Sequence, residues 1–243
     1  MELHQLRAVA SRFWRGRYAM LGLALLSLAF AYPVLGFGLP GLSLWTLAFW
    51  SVLLGALHAI GIGPRLRWIA RTLAVFAICA GIAGLACYQL RQTNHAWVFA
   101  LFDGLTLLFL ALATGVTMVD VFLRETLDTD HLMGAACVYI LLALTFAYAL
   151  PVIDFLSTDP ILAHMDPTHL RPTDPGGSRA EYLYFSFVTL STLGYGDLVP
   201  ASLAGRLVAS MEAIVGQLFL TILVARLIGL HLMRANGRPS DLA

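Results

Sequence analysis

The sequence contains no lysine, and charged residues of all kinds make up only 12% of its 243 positions. Soluble domains carry roughly twice that share. With 59% of the chain hydrophobic, a soluble fold has too little polar surface to cover its apolar side chains, so the expected solvent is lipid. Net charge is +1, which leaves no basic footprint for a nucleic-acid partner. Cysteine is scarce as well. Cys79, Cys87 and Cys137 lie in apolar runs without disulfide or metal-ligand spacing, and they read as small buried side chains. No internal repeat is present, which argues against an inverted-repeat transporter. The intramembrane ionisable residues His58, Asp103 and Glu212 fall on separate apolar segments with no nucleophile or metal motif beside them. No enzyme activity and no organic cofactor are expected.

What is present is a series of long apolar runs. Six reach the roughly 20 residues needed to cross the hydrocarbon core as helix, at 18–36, 42–61, 68–90, 96–118, 131–153 and 203–232. Glycine- and proline-containing breaks separate them, such as Gly61-Ile62-Gly63-Pro64. The small residues around Ala29-Phe30-Ala31 imitate a signal-peptide cleavage site, but the leading segment is long and arginine-rich, so the first run is expected to be a true span. Arginine placement orients the set. With the N-terminus cytoplasmic, eleven arginines fall inside, and Arg91, Arg171, Arg179 and Arg206 fall outside. The expected product is a multi-pass protein of the bacterial inner or plasma membrane with both termini cytoplasmic. Its parts are an amphipathic segment (1–17) on the membrane surface, a four-helix transmembrane domain (18–119), an acidic cytoplasmic linker (120–130), a further transmembrane domain (131–233) and a short tail (234–243). No soluble regulatory domain is expected.

The outer segment between the fifth and sixth spans, about 154–202, is too long for a turn. It begins rich in aspartate and proline, where His164, Asp166 and His169 suggest at most a weak metal site. It becomes apolar and aromatic from Glu181 to Leu193. That run is too short to span the bilayer and reads as a re-entrant helix over about 180–191. Irregular backbone at membrane depth persists only where it lines a polar cavity or is buried in protein. Immediately after the helix comes TLSTLGYGD, residues 189–197.

This stretch, placed between two spanning helices, resembles the selectivity filter of potassium channels, and the wider resemblance covers about 131–233. The implied fold is an all-α membrane protein of six transmembrane helices, with a re-entrant pore helix and filter loop between the fifth and sixth. The implied function is passive potassium conduction. A dehydrated cation requires rings of backbone carbonyls, and alternating backbone conformations that aim them at one axis suit Gly194 and Gly196. The implied K+ ligands are the carbonyls of Thr192, Leu193, Gly194 and Tyr195, within a filter that runs to Gly196. Leu193 departs from the valine usual in the family, which affects packing behind the filter more than the carbonyl facing the ion. Since one chain supplies one strand, a homotetramer in lipid is expected, with K+ as the permeant ligand. Tyr195 is expected to pack against Tyr184 and Phe185, and Asp197 to accept from the Tyr184 hydroxyl. Glu212, an intramembrane acid, is expected to support the filter through Thr189 or Ser191.

Gly216 stands where the family places its inner-helix hinge; close packing is the other expectation there. Gln217, Leu220, Val224 and Ile228 follow on the helix as expected cavity and gate lining. The fourth span carries no arginine or lysine, and Asp103 has the wrong sign for a voltage sensor. Little intrinsic voltage dependence is therefore expected. His58 and Asp103 are candidates to pair with each other across the second and fourth spans. A potassium-uptake component and a non-conducting membrane sensor subunit are the competing readings.

Overall fold

The computed structural model describes residues 18, 20–25, 52, 64–89, 96–123, 129–165 and 175–236. Most of the first two expected spans, His58 and residues 166–174 of the outer loop lie outside the described residues.

The described chain is mostly helical. In order it forms α1 (Pro64–Gln89), α2 (Ala96–Leu123), α3 (Thr129–Leu156), strand β1 (Leu162–His164), α4 (Pro175–Leu190), strand β2 (Leu198–Pro200) and α5 (Leu203–Asn236). In lipid a backbone must satisfy its own hydrogen bonds, so apolar runs become helices regardless of β-branched content. Among the described residues, three stretches are long and apolar enough to cross a membrane: Ala96–Leu123, Leu132–Leu156 and Leu203–Leu232. In α1 the apolar part is shorter, Trp68–Ala83.

The main core lies between α1, α2 and α3. Ala70 and Ala74 of α1, Phe109, Leu110 and Ala113 of α2, and Leu141, Leu144 and Ala147 of α3 meet in it. The Thr114 and Thr145 hydroxyls, 3.1 Å apart, add a polar link between α2 and α3. A buried tyrosine ahead of these helices, Tyr18, bonds through its hydroxyl to Asp120 at the end of α2. Its backbone N–H donates to Asp130 at the start of α3 at 3.2 Å. A second cluster joins the end of α2 to α3 and α5 through Val121, Phe122, Val138, Leu190 and Phe219.

The expectation of an all-helical chain omits one feature. Strands β1 and β2 pair antiparallel, with Leu162 opposite Pro200, Ala163 opposite Val199 and His164 opposite Leu198. Three-residue strands leave no periodicity to read in sequence. They matter because this ribbon fixes the chain directly after residue 197. A third cluster beneath it holds Leu150, Ile161, Leu162, Tyr182, Phe185 and Leu198.

Candidate ion-conducting site

The short helix α4 begins at Pro175, earlier than the apolar run suggests, because proline is well suited to a first helical turn. Its far end carries the site. A helix leaves its last carbonyls without internal partners, and here each finds one. The Ser191 N–H and hydroxyl donate to Phe187 O, at 3.1 and 2.7 Å. Leu193 N and Gly194 N donate to Val188 O, at 2.9 and 3.3 Å, and Thr192 N donates to Thr189 O at 3.0 Å. The Tyr139 hydroxyl of α3 donates to Leu190 O at 3.1 Å. The bonds from Leu193 to Val188 and from Thr192 to Thr189 form the paired closure that ends many helices, with Thr192 at the left-handed position usually held by glycine.

The backbone then alternates. Thr192, Gly194 and Gly196 have φ of 57°, 57° and 77°, whereas Leu193 and Tyr195 between them are not in the positive region. Every second residue is thus left-handed, the condition for successive carbonyls to face the same way. At Gly194 and Gly196 the glycine is conformational, since a Cβ at either would meet nothing within 4 Å. Thr192 has a branched side chain, for which a left-handed backbone costs about 1–3 kcal/mol. Its hydroxyl oxygen accepts from the Gln217 amide at 3.3 Å, which helps to hold it there. Gln217, expected among the cavity-lining residues, therefore also touches the start of the alternating segment.

At the outer end the Tyr184 hydroxyl donates to Asp197 Oδ2 at 2.8 Å. The ribbon locks this acid from the other side, with Met165 N donating to Asp197 O at 2.9 Å. His164 Nε2 lies 2.8 Å from Glu181 Oε1 of α4. Burial alone would raise the Asp197 pKa, but hydrogen bonds from Tyr184, from the Leu198 N–H and from its own N–H, with the charge of His164, hold it below the ordinary carboxylate value. The stability this contributes is fully present above the ordinary value and is lost as pH falls through the depressed one. Tyr184→Phe removes the foremost favourable contact. The acid limb of ion flux, measured against outside pH, is expected to move to higher pH in that variant; an unshifted limb would contradict the assignment.

Behind the segment, Glu212 of α5 is fully buried. It bonds to the Ser186 hydroxyl, and Ser186 Oγ also lies 2.6 Å from Ala143 O of α3. The acid thus reaches the middle of α4, and not Thr189 or Ser191 at its end. The reason is register: Glu212 lies one helical turn before Gly216, and Gly216 is already level with Leu190. A Cβ on Gly216 would stand 2.5 Å from Leu190 O, so α5 crosses α4 at contact distance there, within one continuous helix.

Two more expected residues lie elsewhere than anticipated. Phe185 is buried in the cluster under the ribbon, while Tyr195 is 69% exposed and no ring stacking between them occurs within one chain. Leu220, Val224 and Ile228 are exposed along α5. Asp103 pairs with Arg179 of α4, in a bidentate ion pair with a closest approach of 2.8 Å; His58, its other expected partner, lies outside the described residues. Sequence reasoning missed Tyr139, Ser186 and Arg179. Arg179 alone carried a signal, as an arginine beside an otherwise apolar re-entrant helix.

The ion channel family matches residues 135–230. Those residues include most of α3, both strands, α4 with its filter-like continuation, and α5 up to Leu230. A relative from Rhodopseudomonas palustris, named provisionally as a potassium channel protein, is 32% identical over 100 residues. On this segment the chain is similar to the ion channel family and to that relative. The aligned stretch is 41% of this chain and 21% of the relative, so the chain spans about a fifth of the relative's length. No solved structure matches the chain. The ion channel match, with three helices of spanning length and composition among the described residues, makes it an integral membrane protein. The family match begins within α3 and leaves α1 and α2 unassigned.

Proposed function

We propose that four copies of this chain form a potassium-selective pore that conducts passively. The observation that carries the reading is the alternation of left-handed backbone at Thr192, Gly194 and Gly196 in a segment that reads Thr-Leu-Gly-Tyr-Gly. In this reading the carbonyls of Thr192, Leu193, Gly194 and Tyr195 replace the water of a dehydrated K+ ion, and the Thr192 hydroxyl closes the inner end. One chain offers one strand of ligands, so the ring closes only with fourfold symmetry. Two features of the single chain support assembly. The segment 191–197 is exposed throughout, and so is the apolar row Leu220, Val224 and Ile228 of α5, which in a tetramer narrows the inner cavity. Gly216, Glu212 and Ser186 keep α5 and α4 in register behind the filter.

Voltage plays little part in this reading. Helix α2 occupies the place of a sensor but contains neither arginine nor lysine, so no cationic gating charge lies on it. The test is flux from liposomes holding the purified protein, with K+, Rb+ and Na+ compared and membrane potential varied. Flux of K+ and Rb+ well above Na+, with shallow voltage dependence, is expected. Equal Na+ flux would sink the selectivity, and a steep voltage response would sink the gating statement.

A further inference from the structure

The family match leaves α2 without a role, yet α2 makes a specific polar contact with the pore helix α4. Arg179 donates to Asp103 through Nε to Oδ1 at 3.0 Å and through Nη2 to Oδ1 and Oδ2 at 2.8 and 2.9 Å. The side chains are 11% and 7% exposed. The guanidinium also stands over two rings of α2, 4.9 Å from the Phe99 centroid and 5.3 Å from that of Phe102. A planar fork held between a carboxylate and aromatic faces fixes orientation as well as distance.

Stability alone is a poor reason for such a pair. Burying two charges costs about as much as their attraction returns, and an apolar pair of similar volume often does as well. What the ion pair adds is direction. We propose that Asp103 and Arg179 are positioning residues through which α2 sets the seat of α4 and, with it, the ion selectivity of the filter; this rests on the conducting reading above. The mechanical path is short. From Arg179 to Leu190 is about 17 Å of helix at 1.5 Å per residue. Leu190 passes into the filter through the closure at Thr192, where the N–H groups of Leu193 and Gly194 both hold Val188 O. No slack separates the helix from the filter, so a tilt at the outer end reaches the carbonyl ring. Farther along, Tyr182 bonds Asp154 of α3 at 2.6 Å, and Ser186 bonds Glu212 of α5. Those contacts belong to the pore segment; Asp103 is the polar contact that α2 supplies to α4 among the described residues.

Two variants test the assignment in liposomes. Asp103→Leu with Arg179→Met keeps volume and removes both charges, and Arg179→Lys keeps charge but loses the fork. Each is assayed for oligomer size and for the K+/Na+ permeability ratio. The expected result is wild-type oligomer size with the ratio lowered about tenfold in the apolar pair, and by less in Arg179→Lys. A wild-type ratio in the assembled apolar pair would overturn the proposal, leaving the ion pair as a fastener. Failure of both variants to assemble would also overturn it, by making the pair a folding requirement. If the wild type itself fails to select K+, the conducting reading has failed first, and that outcome is distinct from either of these.

Discussion

Gly194→Ala is expected to abolish potassium flux while leaving the protein folded in the membrane. The glycine stands at φ 57° with nothing within 4 Å of where a Cβ would lie. The obstacle to alanine is therefore backbone strain and not collision. An L-residue in the left-handed region costs about 1–2 kcal/mol, and in a closed ring the cost falls on each of four chains. Relaxing it turns the 194 peptide, which removes a ring of carbonyls from the conduction path. The same argument predicts a rescue. A D-alanine at 194, introduced by semisynthesis, favours positive φ and is expected to retain flux. Flux through Gly194→Ala at the wild-type level, or loss of flux with D-alanine as well, would contradict this account of the backbone.

The second large effect is expected at Gly216, for the opposite reason. Gly216 is helical, and a Cβ there would stand 2.5 Å from Leu190 O and 3.0 Å from Leu190 Cδ1. The oxygen belongs to backbone that already accepts from Tyr139, so it has little room to yield. Gly216→Ala must push α5 away from the end of α4, at a cost of about 1–3 kcal/mol for such overpacking. It also moves Gln217 away from Thr192. A lower melting temperature and reduced flux are expected together. Gly115 in α2 is the control, since a Cβ there meets nothing within 4 Å. Alanine at 115 is expected to hold or raise the melting temperature, in line with the helix preference for alanine over glycine. Equal behaviour of the two variants would remove the packing argument.

The difference between these glycines shows what sequence could and could not convey. Conformational demands are local, so Gly194 and Gly196 were legible once the short stretch around them was seen to resemble a selectivity filter. So were the runs that became α2, α3 and α5, because lipid imposes length and hydropathy on each span separately. The Tyr184–Asp197 contact spans 13 residues and was reachable only through family resemblance. Contacts set by how helices cross were not legible. Whether Gly216 serves bending or packing depends on the height of Leu190 against α5. Glu212 meets Ser186 instead of Thr189 because of that same height. Asp103 and Arg179 are 76 residues apart, and no periodicity links them. The left-handed turn at Thr192 was hidden for a different reason: sequence rules place glycine at such a helix end, and here a threonine stands there, its hydroxyl accepting from Gln217.

The central claim is that this alternating segment, repeated in four chains, passes potassium and excludes sodium. The most direct test is the reversal potential of the purified wild-type protein in a planar bilayer, with K+ on one side and Na+ on the other. The account predicts a reversal far toward the potassium equilibrium potential, with current carried by K+ and blocked when Gly194 is replaced by alanine. A reversal near zero, or current that survives the replacement, would contradict it.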